Sequence, residues 1–215
     1  MGSQTILDLI ASTMVFGSLL LIAIRLNVGT SENLQMYQFD LLVQQNLVEI
    51  TRLLEYDFKK IGYCKDPSKI SNPAMAIRYA DSIKIKFYTD FPTSSDPQGD
   101  GNLDSLTYYV GPTSEASSTP NPNDRLLYRV ENNATPVGVN LGVTQFDLRY
   151  FNSFREEIPS PVANCGEIQY MQITIQVENL TATDSLLVNR ASFDRPYQTA
   201  FWRQVRLAAK NLRNR

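Results

Sequence analysis

The sequence predicts an α+β fold: a long N-terminal α-helix, its apolar half projecting, packed on an antiparallel β-sheet globular domain. Three observations point there. Apolar residues run almost unbroken from Ile6 to Val28. From Met36 to Ile61 they recur at steps of three and four. After Tyr63 the pattern changes to period two, interrupted by polar connections. A period of 3.6 is the mark of a one-faced helix, and a period of two that of a half-buried strand. The chain therefore divides into an apolar helix at 1–28, an amphipathic helical half at 29–62 and a β-rich domain at 63–215.

The apolar half carries one acid at its start, Asp8, and no further charge until Arg25. A helix that crosses a bilayer needs about 20 apolar residues. Leu9–Ile24 falls short, but Ile6, Leu7, Leu26 and Val28 extend it, and Arg25 can snorkel to an interface. A signal peptide would carry a basic n-region and a small-residue cleavage site. Nothing basic precedes Asp8 and no A-x-A pattern follows Ile24.

In the second half, Met36, Phe39, Val43, Leu47, Ile50, Leu54, Phe58 and Ile61 share one helical face, while Gln38, Asp40, Gln44, Gln45, Glu49, Arg52 and Glu55 share the other. Gly29-Thr30-Ser31 is expected to bend or interrupt the rod, and Gly62 to stop it. Strands are expected where Ile83, Ile85 and Phe87 alternate with Lys84, Lys86 and Tyr88, and at Leu106–Val110, Leu126–Val130, Phe146–Phe151, Ile168–Val177 and Phe201–Leu207. Connections such as Pro112–Arg125, rich in Pro and Ser, join them, so neighbouring strands form an antiparallel meander on the helix.

Thr5-Ile6-Leu7-Asp8-Leu9 resembles the T-L-I-E-L that opens type IV pilins and the pseudopilins of type II secretion. The β-domain layout resembles the larger minor pilins and J-type pseudopilins. The resemblance implies a structural subunit of an extracellular or periplasmic pilus-like filament. It implies insertion in the inner membrane first, then assembly with copies of itself or related pilins through the N-terminal helices. It also implies leader removal after a glycine. Cutting after Gly2 leaves Asp8 one place further from the new terminus than the family pattern has it, and cutting after Ser3 restores that spacing. Thr5, Asp8 and Arg25 are the residues assigned to assembly and register. In the family an acid pairs with the terminal amine of a neighbour, which suits physics: a carboxylate in a dry core is costly bare and a register device when paired. The competing reading is a single-span, membrane-anchored extracytoplasmic binding module.

Other features give narrower expectations. The chain of 215 residues has no histidine, which removes the commonest general base and metal ligand. With no paired carboxylates, Ser-Lys pair or phosphate loop at usable spacing, no enzyme is expected. A net charge of −2 gives no global pull toward nucleic acid. The basic tail, with Arg195, Arg203, Arg206, Lys210, Arg213 and Arg215 among Tyr197, Phe201 and Trp202, reads as the solvent face of a last strand rather than a nucleic-acid site.

Asp96, Asp100, Asn102 and Asp104, spaced by turn-forming glycines, resemble acidic calcium loops. Calcium is the one candidate cofactor, with Asp90 as an added ligand. The plainer reading is a Gly/Asp hairpin turn. Cys64 and Cys165 are the only cysteines. A disulfide between them would close a loop of about 100 residues and contribute about 4–5 kcal/mol in the chain-entropy model. Asn133-Ala134-Thr135 and Asn179-Leu180-Thr181 are sequons.

Overall fold

A computed structural model describes residues 2–94, 96–179 and 200–208, without the side chains of Gly2, Ser3, Glu32 and Ala200. It divides the chain into two compact units, residues 1–41 and 42–215.

Helix α1 spans Gly2–Lys59 without a break. Gly29 and Ser31 lie inside it, and the expected interruption is absent. The Thr30 hydroxyl donates to the Leu26 carbonyl at 2.8 Å, so the local polar side chain joins the helix rather than competing with it. The helix ends near the expected place. Gly62 takes a left-handed φ of 70°, and its N–H donates to the Tyr88 carbonyl at 2.8 Å.

In the second unit eight strands are described: β1 Ile77–Ala80, β2 Lys84–Thr89, β3 Asp104–Val110, β4 Arg125–Glu131, β5 Gly138–Phe151, β6 Glu157–Ile158, β7 Tyr170–Glu178 and β8 Ala200–Leu207. They form one antiparallel sheet in the order β1-β2-β3-β4-β5-β7-β8, with β6 paired on β5. The meander expected from the sequence is therefore present. Ile83 is a correction: it lies ahead of β2 and is exposed. Strands β1 and β6, four and two residues long, are additions.

The core is a helix-on-sheet layer. Val43, Leu47, Ile50, Leu54, Phe58 and Ile61 are buried in one cluster with Ile85, Phe87, Leu106, Tyr108, Phe146, Leu148, Ile173 and Ile175. The strand members share one parity, which puts them on one face of the pleat. Phe58 is the keystone, with its ring edge-on to Phe87 at 5.4 Å and to Tyr108 at 5.6 Å. Such pairs add roughly 1 kcal/mol each beyond burial.

A buried polar cluster crosses the same layer. Asp57 is 2% exposed. Its Oδ2 accepts from the Tyr108 hydroxyl at 2.6 Å and from Arg129 Nε at 2.7 Å. Arg129 also pairs with Glu131 and lies over the Phe91 ring. Burial, with the Asp57 charge beside it, pushes the Tyr108 hydroxyl up, so it stays protonated and donates. Burial works against the Arg129 charge, but hydrogen bonds to Asp57 and Glu131 outweigh it and hold the guanidinium above its ordinary value.

Asp124 is fully buried as well, and among the described residues neither carboxylate oxygen has a well-formed hydrogen bond. The nearby Thr119 hydroxyl is directed to the carbonyls of Ala116 and Asn121. Burial pushes the Asp124 carboxyl up, and the Glu178 charge adds to the effect. A carboxyl raised in the folded state binds its proton more tightly there than in the unfolded chain. Its contribution to stability is then full below the unfolded pKa and is lost as pH rises through the folded one. Asp124→Asn is therefore expected to raise the thermal midpoint at pH 7, by roughly 2–4 °C per kcal/mol recovered. The gain should fade as pH drops toward 4, and parallel melts of wild type and variant across that range check it.

Candidate functional site

Among the described residues of α1, every large apolar side chain from Ile6 to Val28 is exposed. The segment is long and apolar enough to cross a membrane by length and composition. Its hydroxyls fold back onto the helix: Ser12 donates to the Leu9 carbonyl, Thr13 to Ile10 and Ser18 to Val15, at 2.9, 2.9 and 2.8 Å. Spent locally, these donors add little polarity to the surface, which suits an apolar surrounding.

Thr5, Asp8 and Arg25, assigned to assembly from the sequence, are all exposed on this segment. Asp8 forms no ion pair among the described residues. Arg25 stands seventeen positions further on, about 25 Å along the axis at 1.5 Å per residue, so the two charges of one helix cannot neutralise each other. Gly2 opens the helix; the side chains at 2 and 3 lie outside the described residues, so the processing expectation at Gly2 and Ser3 has no structural counterpart.

In the acidic loop the expected calcium residues have protein partners, and among the described residues no group of three or more His, Cys, Asp or Glu is placed to hold a metal ion. Asp96 pairs with the Lys65 ammonium and accepts from the Gln98 N–H. The Lys65 contact holds the Asp96 carboxyl below the usual range. Asp100 accepts from the Asn102 amide and N–H. Asn102 Oδ1 accepts from Lys69 Nζ at 2.7 Å. Asp104 faces the other way, accepting from the Phe91 N–H and the Asn132 amide. Two of the expected calcium residues, Asp96 and Asn102, thus meet lysines.

The organiser of the loop is Asp90, fully buried at the end of β2. It accepts from the N–H groups of Lys65, Asp100 and Gly101 at 3.0, 3.1 and 3.0 Å. Gly99 permits this approach: it sits at φ +108°, and a Cβ there would lie 2.0 Å from Asp90 Oδ1. The glycines serve a backbone cage around a buried carboxylate.

Cys64 and Cys165, the candidate disulfide pair, are both free and buried. The Cys64 thiol lies 3.5 Å from the Gly101 carbonyl, beside Asp90. The Cys165 thiol points to the Val162 carbonyl. Each sulfur has its own local partner, and burial pushes both thiols up, which keeps them unreactive.

In the basic tail, Trp202, Arg203 and Arg206 are exposed on β8 and Phe201 is half-buried, as a last strand with a solvent face requires. Arg195, Tyr197, Lys210, Arg213 and Arg215 lie outside the described residues, as do Leu180 and Thr181 of the second sequon. Asp57, Tyr108 and Arg129 were missed by the sequence reading. The available signal was an acid on the buried helical face, between Leu54 and Phe58.

No protein-family model matches this chain, and no curated protein matches it. Among solved structures it is similar to a type IV-like pilin from Thermus thermophilus, with 8% sequence identity and a TM-score of 0.43, over 79% of this chain and 97% of that one.

Proposed function

We propose that this chain is a structural subunit of an extracellular or periplasmic pilus-like filament, assembled through its N-terminal helix. One observation carries the reading. A single unbroken helix, Gly2–Lys59, presents a nearly continuous exposed apolar surface from Ile6 to Val28, with hydroxyls folded onto the helix and one carboxylate near the start. An exposed apolar surface of this extent calls for a cover. A bilayer can cover it before assembly and a bundle of like helices afterwards. Asp8 favours the bundle as the final state. A lone carboxylate in lipid costs several kcal/mol, whereas a neighbouring chain end offers an amine to pair with it.

Cross-linking separates the filament from a membrane tether. Val15→Cys puts a thiol on the exposed apolar surface, where the native thiols, both buried, do not compete. Oxidation of sheared surface material is expected to give covalent dimers through the introduced thiol. A tether that works alone stays monomeric under the same treatment.

A further inference from the structure

A second site lies at one end of the sheet. Strands β5, β7 and β8 are in register there: Phe151 opposes Tyr170, Tyr150 opposes Met171, and Met171 opposes Leu207. A half-open cavity of about 360 Å³ opens beside them, lined by Phe151, Arg155, Tyr170, Met171 and Arg206. That volume is within the range of small-molecule sites, which are typically apolar with a few fixed polar groups.

The two arginines are placed by separate devices. Arg155 belongs to the turn after β5 and sits at φ +66°, a left-handed conformation that costs a non-glycine residue of order 1 kcal/mol. Asn152 holds the turn there. Its Oδ1 accepts from the Phe154 and Glu156 N–H groups at 2.9 and 3.0 Å, and the Arg155 N–H donates to its carbonyl at 3.0 Å. Arg206 is oriented from β8 through Nε, which donates to Gln172 Oε1 at 3.0 Å. Its carbon centre lies 5.8 Å from the Phe151 ring centroid, a cation–π distance. Anchoring at Nε leaves the terminal N–H groups available.

Nearby acids are committed elsewhere. The Glu156 carboxylate accepts from the Asn152 amide, and Glu157 faces Arg149 at 3.8 Å. Arg155 has no side-chain hydrogen bond or ion pair among the described residues, and no described acid lines the cavity. Two cations beside a ring-walled cavity with no acid among its described lining residues suit an anion with an apolar body.

We propose that this cavity binds a small organic anion whose carboxylate is carried on a flat, apolar body. The guanidinium fork of Arg matches a carboxylate in two parallel hydrogen bonds. Phe151 and Tyr170 cover the flat body. The apolar walls disfavour a compact, strongly hydrated anion such as inorganic phosphate. The site is independent of the assembly segment, so it stands or falls apart from the filament reading.

The test is calorimetric titration of the full chain, in nonionic detergent micelles, with 2-naphthoate as probe and empty micelles subtracted. Saturable one-to-one binding is expected. Arg155→Gln and Arg206→Gln, each made alone, are expected to weaken it tenfold or more, the scale of a lost charged hydrogen bond. Both side chains are exposed, so unchanged circular dichroism should accompany the loss. The neutral 2-naphthalenemethanol and inorganic phosphate are each expected to bind at least tenfold more weakly. Equal affinity for the neutral analogue, wild-type affinity in both variants, or no saturable heat overturns the proposal.

Discussion

Arg129→Ala is expected to lower the stability of the β-domain by about 3–5 kcal/mol, the cost of breaking a buried ion pair from one side. Asp57 is nearly inaccessible and its Oδ2 takes two donors, the Tyr108 hydroxyl and Arg129 Nε. Without Arg129 a carboxylate remains in the helix–sheet layer with one neutral partner. For a domain of this size the loss corresponds to about 10 °C in thermal midpoint. Asp57→Ala should cost less, because the stranded Arg129 retains Glu131 and partial solvent access. Replacing all three groups by apolar ones, in Asp57→Leu/Tyr108→Phe/Arg129→Leu, should recover most of the loss, since an apolar cluster of similar volume often matches a buried ion pair. Urea unfolding of the four proteins checks the order. A loss under about 1 kcal/mol for Arg129→Ala, the range of an exposed pair, would show that the pair is solvated in solution.

Asp8→Ala is expected to reduce filament yield at least tenfold while leaving the β-domain folded. Asp8 is exposed, has no ion-pair partner in its own chain among the described residues, and stands at the head of an apolar surface. Under the proposed function its partner is an amine of a neighbouring subunit. Losing the acid then removes the acidic signal for axial register, while the apolar helix still inserts in the membrane. Asp8→Glu, which keeps the charge, should retain most of the yield. Quantifying sheared filaments against the membrane-bound pool reads both variants. Normal yield from Asp8→Ala would sink the register role.

The helix and most of the sheet were legible because burial imposes a period on sequence. Val43 through Ile61 recur at helical steps because one face meets the sheet. Strands β2, β3, β5 and β7 alternate because one side of each meets the helix. Where burial leaves no period, the reading failed. β1 has the pattern buried-exposed-exposed-buried over four residues and a register irregularity, too short to announce a strand. β6 has two residues and exists only by pairing with β5.

Gly29-Thr30-Ser31 looked like a break because small residues favour one. No neighbouring atom lies close to Gly29, and Thr30 bonds back to Leu26, so the helix passes through. The acidic loop allows two readings because its composition is shared by metal loops and by turns, and its contacts with Lys65, Lys69 and the buried Asp90, which meet it from afar in sequence, leave no local pattern. The cysteines are a similar case: an even count permits a bridge, and only position decides it. The Asp57 cluster joins residues up to 72 positions apart, beyond the reach of any local pattern.

The central claim is that the apolar half of α1 ends in a bundle of like helices. Electron microscopy of material sheared from the source cells, with mass spectrometry of the same sample, tests it most directly. The account predicts helical filaments containing this chain, with residues 6–26 bundled at the axis. The chain confined to the membrane fraction, and absent from every filament, would contradict it.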